Sequence, residues 1–229
     1  SAPVQMDNEE PAMHQAKDYI NDDFEYAVDF YDPWEKMNRS IYNFNTKFDR
    51  YLFLPVVSLY QTLLPDFVET GVSNFFSNIG EISNFANSVA QLKPDSSVNT
   101  LVRFFFNSTL GLLGFVDVAT PMGLSEQEED FGQTLGHYGV GEGPFLILPL
   151  FGPSNLRDAL GLLGDTALIA TVDPLNLDDH SDREYAYFST MAVNKRSEID
   201  FRYYETGSPF EYEMVRLLYG KWRQIQIQR

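Results

Sequence analysis

An all-α protein is expected from three features of this 229-residue chain. Apolar residues recur at intervals of three and four through most of it, the mark of amphipathic helices. Proline and glycine cut that pattern into six to nine short or medium segments. No sustained alternation of apolar and polar residues points to a large sheet, and no fixed-period repeat points to a solenoid.

Residues 1–31 read as an acidic N-terminal extension. Residues 1–32 hold nine of the 33 acids and, in Lys17, one of the 16 cations. Pro3, Pro11 and weak periodicity make the first 18 residues a flexible entry. The aromatics between Tyr19 and Tyr31 predict that the remainder folds over the body.

Asp32-Pro33 is a helix start, because Asp caps free amides and Pro fits the first turn. Trp34, Met37, Ile41, Phe44 and Phe48 then mark an amphipathic helix over about 33–50, rich in Asn38, Arg39, Asn43 and Asn45. Pro55 opens a short element that ends before Pro65. Helices follow at about 66–78 and 80–91, joined at Gly80 without a large break. After the Lys93-Pro94-Asp95 turn, the helix over 96–110 is among the most apolar, with Arg103 and Asn107 sharing one face. Two arrangements fit it: a buried core helix with one polar seam, or an inverted one with apolar sides in lipid and the seam along an internal passage.

Gly111, Gly114 and Pro121 make the next connection irregular, and residues 126–130 form a solvated acidic corner. From Asp130 to Asp158 a crowd of glycines precedes the uncharged octapeptide Pro144–Phe151, closed by Gly152-Pro153. It reads either as a buried crossover between helices or as a lipid-facing hairpin. Ser154 or Asn155 caps a helix through Ile169, residues 182–205 form a charge-rich helix, and Pro209 starts a last one, followed by a basic tail from Arg223. The domain reading is 1–31 extension, 32–205 core, and 206–229 C-terminal helix and tail.

A net charge of -17 argues against a nucleic-acid binder, since backbone phosphates demand concentrated positive charge. The absence of cysteine removes disulfide and thiolate chemistry. No apolar run is long enough for a transmembrane helix, yet the 15% aromatic residues must be buried, line a pocket, or meet a membrane or partner. His14, His137 and His180 are far apart, no G-x-S-x-G or H-E-x-x-H motif occurs, and Gly139–Gly143 lacks the lysine of a phosphate loop. No catalytic residue, metal or cofactor is expected, so the chain reads as a non-enzyme.

Four stretches together carry a family resemblance: DPWEKMNRSIYNFNTKFDRYLFLPV (32–56), GVSNFFSNIGE (71–81), RFFFNSTLGLLGFVD (103–117) and EDFGQTLGHYGVGEGPFLILPLFGPSNLRD (129–158). Across about residues 32–205 the chain resembles the VacJ family, the phospholipid-transport lipoproteins of the outer-membrane lipid-asymmetry maintenance system. The resemblance implies an all-helical, ring-shaped, membrane-embedded protein with an amphipathic central channel and short helices rather than full transmembrane spans. It implies residence in the bacterial outer membrane, mainly its periplasmic inner leaflet, and retrograde movement of mislocalised phospholipid out of the outer leaflet. Implied partners are phospholipid, trimeric outer-membrane porins, a soluble periplasmic phospholipid carrier and, indirectly, an inner-membrane lipid-transport complex.

The family's N-terminal lipidated cysteine is absent from this sequence. A native lipid anchor is nonetheless expected, with the cysteine lost by truncation, replacement or different processing. With the resemblance, Asn43, Phe44 and Asn45, together with Arg103 and Asn107, become candidates for channel or gate. Gly141, Gly143 and Pro144 become a hinge, and Phe145, Leu146, Ile147, Leu148, Leu150 and Phe151 the membrane or partner face of a mobile hairpin. The competing reading is a porin-binding envelope scaffold that moves no lipid.

Overall fold

The computed structural model describes residues 31–177, 181–205 and 207–228. The acidic extension up to residue 30, with His14 and the aromatics expected to fold over the body, lies outside the described residues, as does His180.

Helix α1 (Glu35–Phe48) runs through a π-helical turn (Asp49–Phe53) into α2 (Leu54–Leu63), so two expected helices form one rod. Pro55 cannot donate to the carbonyl four residues back and its ring crowds that carbonyl, and the backbone directly before it takes the wider π geometry. The helices expected on either side of Gly80 likewise merge into α3 (Asp66–Ala90). Helix α4 (Pro94–Thr109) and the short α5 (Phe131–His137) follow. The glycine- and proline-framed octapeptide contains a strand, β1 (Phe145–Leu148), which pairs antiparallel with β2 (Gly152–Asn155). Leu150 (φ 69°) and Gly152 (φ 83°) supply the left-handed backbone of the turn.

The Asn155 side chain caps α6 (Leu156–Val172) by accepting from the Asp158 amide. Helix α7 (Ser181–Ser197) stops short of the expected 205 because Arg196 donates to the Ile199 and Phe201 carbonyls, and the chain wraps around its guanidinium. Residues read as a basic tail belong instead to α8 (Glu211–Gln228), where Arg223 is buried.

Burial is inverted relative to a water-soluble domain. Among the described residues the buried hydrophobic side chains number 7 and the buried polar or charged ones 26. Leu101 and Phe105 of α4 and Met214, Leu218, Trp222 and Ile225 of α8 are exposed. Among the described residues no single helix is long and apolar enough to cross a membrane.

The elements close a ring, and polar side chains make most of the joints. Tyr60 of α2 donates to Asn194 of α7, Ser73 of α3 to Glu198 beyond α7, and Asn87 of α3 to Asp165 of α6. Arg223 of α8 reaches Asp130, the N-cap of α5, and Asp158 in the first turn of α6. Burial alone would raise the Asp158 carboxyl, but hydrogen bonds and attraction from Arg223 and Arg157 hold it below the usual carboxylate range. Arg39 of α1 grips Glu213 of α8, which completes the circuit. The ring-shaped helical fold anticipated from the sequence is the one observed.

Helices α3 and α4 pack along a polar seam. Arg103, 2% exposed, donates to Glu81 at 2.5 Å and to Thr120, while Asn107 donates to Asp117 and accepts from the Val118 and Ala119 amides. This cage holds the irregular connection beyond α4, in which Leu112 and Leu113 both take left-handed backbone and point outward. Left-handed backbone at a leucine costs about 1–2 kcal/mol, so the cage must outweigh that strain.

Candidate functional site

A cavity of about 640 Å³ opens between α1, the π turn, the hairpin tip, residues 199–203 and α8. Phe48, Phe53, Leu150, Phe151, Val215 and Leu218 give it a mainly apolar wall. Its size falls within the usual range for a small-ligand pocket. The wall also carries one ion pair: Asp49 in the π turn accepts from Arg196 Nε at 2.6 Å and from its terminal nitrogen at 2.8 Å. Such a fork-to-fork pair is geometrically specific and neutral as a unit. Tyr203 stands nearby, its hydroxyl pushed up to about 12 chiefly by burial and secondarily by the Asp49 charge.

Two asparagines of α1 hold the hairpin. Asn38 donates to the Phe145 carbonyl at 3.0 Å and accepts the Ile147 amide at 2.9 Å. Asn45 does the same to the Leu148 carbonyl at 2.9 Å and the Leu150 amide at 2.8 Å. Each carboxamide thus meets the strand as the backbone of a third strand would. The spacing explains why both fit: seven helical residues rise about 10.5 Å and three extended residues about 10 Å.

Of the sequence candidates, Asn45, Leu150 and Phe151 meet at this cavity. Asn43 lies two residues before the clamp residue Asn45 and accepts from the Tyr204 hydroxyl, and Phe44 is exposed beside Phe48. Arg103 and Asn107 do not join them, since their polar atoms are engaged in the α3–α4 seam. Phe145 and Ile147, expected on the outward face of the hairpin, instead point inward at 4% and 1% exposure and pack with Tyr42 and Tyr212. Strand alternation explains the correction: Leu146 and Leu148 take the other face and are only partly covered, and the more exposed apolar surface is the tip at Leu150 and Phe151. Before the hairpin, Gly141 has open space around it, Gly143 is left-handed at φ 68°, and the Pro144 carbonyl accepts the Leu156 amide.

The sequence reading missed Asp49, Arg196, Tyr203 and Val215 as wall residues. No local signal pairs Asp49 with Arg196 across 147 positions. Asn38 was visible as a polar residue two helical turns from Asn45, and that seven-residue spacing was the one available clue. Among the described residues, no group of three or more His, Asp or Glu is placed to hold a metal ion.

Comparison with known proteins gives concordant results. The family model described as MlaA lipoprotein matches residues 30–226. An uncharacterized protein of Rickettsia bellii is 38% identical over 170 residues, covering 74% of this chain and 65% of its own length. The intermembrane phospholipid transport system lipoprotein MlaA of Escherichia coli (strain K12) is 40% identical over 138 residues, 58% of this chain and 55% of that protein. The chain thus spans about two thirds or less of these curated relatives. A solved structure described as the structural basis for maintenance of bacterial outer membrane lipid asymmetry superposes with a TM-score of 0.70 at 29% identity, covering 86% of this chain and 98% of that one.

Proposed function

The chain belongs to the MlaA lipoprotein family, and on that premise we propose that it carries mislocalised phospholipid from the outer leaflet of the bacterial outer membrane toward the periplasm. The single observation that supports this most is the apolar-walled cavity set inside an inverted ring, whose outer surface suits hydrocarbon. Residence is in the outer membrane, mainly its periplasmic leaflet. Among the described residues no single helix is both long and apolar enough to cross, which suits a protein held in one leaflet.

The partners in this reading are trimeric porins at the ring's rim, a soluble periplasmic carrier that accepts the lipid, and an inner-membrane transport complex beyond it. No bond is broken, and direction comes from lipid supply and downstream removal. Asn43, Phe44 and Asn45 act as the gate through the hold of α1 on the hairpin. Gly141, Gly143 and Pro144 form the stem about which the hairpin moves. Arg103 and Asn107 serve this gate at a distance, as braces of the ring wall.

The test is reconstitution in vesicles with the soluble acceptor, following intact phospholipid and checking separately for cleavage. Acceptor-dependent transfer of intact lipid is expected. A porin-binding scaffold would give no transfer, and a hydrolase would give cleaved lipid.

A further inference from the structure

The cavity's polar groups determine what part of a lipid it takes. Asp49 and Arg196 neutralise each other, and Arg196 also donates to the Ile199 and Phe201 carbonyls. Asn45 is occupied at both ends by the hairpin backbone. Tyr42 donates to Glu211 and Tyr219 donates to Asp158. Each charged or amide side chain on the wall therefore has its partner inside the protein, and the wall offers no free cation to a phosphate. What it offers is apolar contact, continuous at the rim with the exposed Leu150, Phe151, Leu218 and Trp222.

Resting on the transport reading above, we propose that this cavity is an acyl-chain site: it receives one fatty chain of a phospholipid through the rim formed by the hairpin tip and α8, and leaves the headgroup outside. Apolar walls keep methylenes out of water much as the bilayer does, whereas a phosphate brought in would lose its hydration without compensation. The consequence is indifference to headgroup chemistry. A site discriminates strongly only when it has been built to hydrogen-bond the group it reads, and here those groups are already engaged.

The experiment uses the protein reconstituted in vesicles with phosphatidylethanolamine or phosphatidylglycerol of identical chains, bearing a photoreactive diazirine at one chain end or on the headgroup. Crosslinked residues are mapped by mass spectrometry, with exposed Leu101 as the reporter of embedding. The chain-end probe is expected to mark Phe53 and Val215, with yields for the two headgroups within about twofold, as a wall without headgroup contacts requires. The Val215→Trp variant fills the cavity and should lower marking of Phe53 severalfold while leaving Leu101 marked. Leu218→Trp, at an exposed rim position, serves the same purpose should the first variant misfold.

Marking of Phe53 or Val215 by the headgroup probe overturns the proposal, as does about a tenfold difference between headgroups, equivalent to about 1.4 kcal/mol of recognition. Marking of Leu101 without marking of the cavity overturns it while leaving the membrane reading intact. No marking at either place sinks both.

Discussion

The α3–α4 seam and the cavity beside α1 use the same kinds of residue to opposite ends. In the seam, Arg103, Glu81, Asn107 and Asp117 bond across from one element to the next and tie the elements together. At the cavity, Asn45, Asp49 and Arg196 bond along the wall, and the space they frame is left to phenylalanine, leucine and valine. An arginine and an asparagine on one helix face do not by themselves mark a passage. The direction in which their partners lie decides whether they seal or surround.

The largest effect should come from breaking the seal. Arg103→Leu strands the buried Glu81 carboxylate and should cost about 3–5 kcal/mol, lowering the unfolding midpoint on the order of 10 °C. Lipid transfer per folded molecule should change little. A selective loss of transfer at unchanged stability would put Arg103 on the route after all.

The cavity side should behave the other way. Asn45→Leu removes two hydrogen bonds to the hairpin and should cost about 1–3 kcal/mol. Amide exchange at Leu150 should quicken and lipid passage should become leakier. If correctly folded Asn45→Leu protein shows unchanged exchange and unchanged passage, the clamp is no gate.

Acid should loosen the ring at the Arg223 joint by a smaller amount. Because the folded Asp158 carboxyl titrates below its unfolded value of about 3.9, its contribution is complete above that value and fades as pH falls through the folded value. Thermal scans should show a decline of a few degrees over that acidic window, which Asp158→Asn would remove together with much of the joint itself. The smallest effects belong to the stem. Gly143→Ala at φ 68° should cost about 1 kcal/mol, while Gly141→Ala, with open space and no left-handed backbone, should be nearly neutral in stability. Reduced transfer in both variants would support a hinge, and unchanged transfer in both would reject it.

Much of the fold was legible because helical periodicity and proline starts are local. The helices before and after Gly80 needed no partner to be read. The first rod, by contrast, starts at Glu35 without the side-chain cap expected of Asp32, whose carboxylate serves Asn38, Tyr212 and Arg216. The merger through Pro55 and the early stop of α7 were not legible, since one depends on a π turn and the other on Arg196 meeting carbonyls beyond its own helix. At the site, glycine and proline framing left a crossover and a hairpin both open, and only the family resemblance favoured the hairpin. Which of its residues turn inward depended on strand parity, and Asp49–Arg196 depended on ring closure, neither of which a linear pattern records.

The two-asparagine clamp has a consequence of another kind: it works as a reading frame. Seven residues of helix are matched to three residues of strand, and each helical residue turns the following side chain by about 100°. A substitution between Asn38 and Asn45 leaves that phase intact, whereas inserting or deleting one residue there swings the second carboxamide away from the strand while the first stays bound. Between these two positions a residue can be replaced without losing the frame, whatever else Arg39 and Tyr42 hold together, but none can be added or removed.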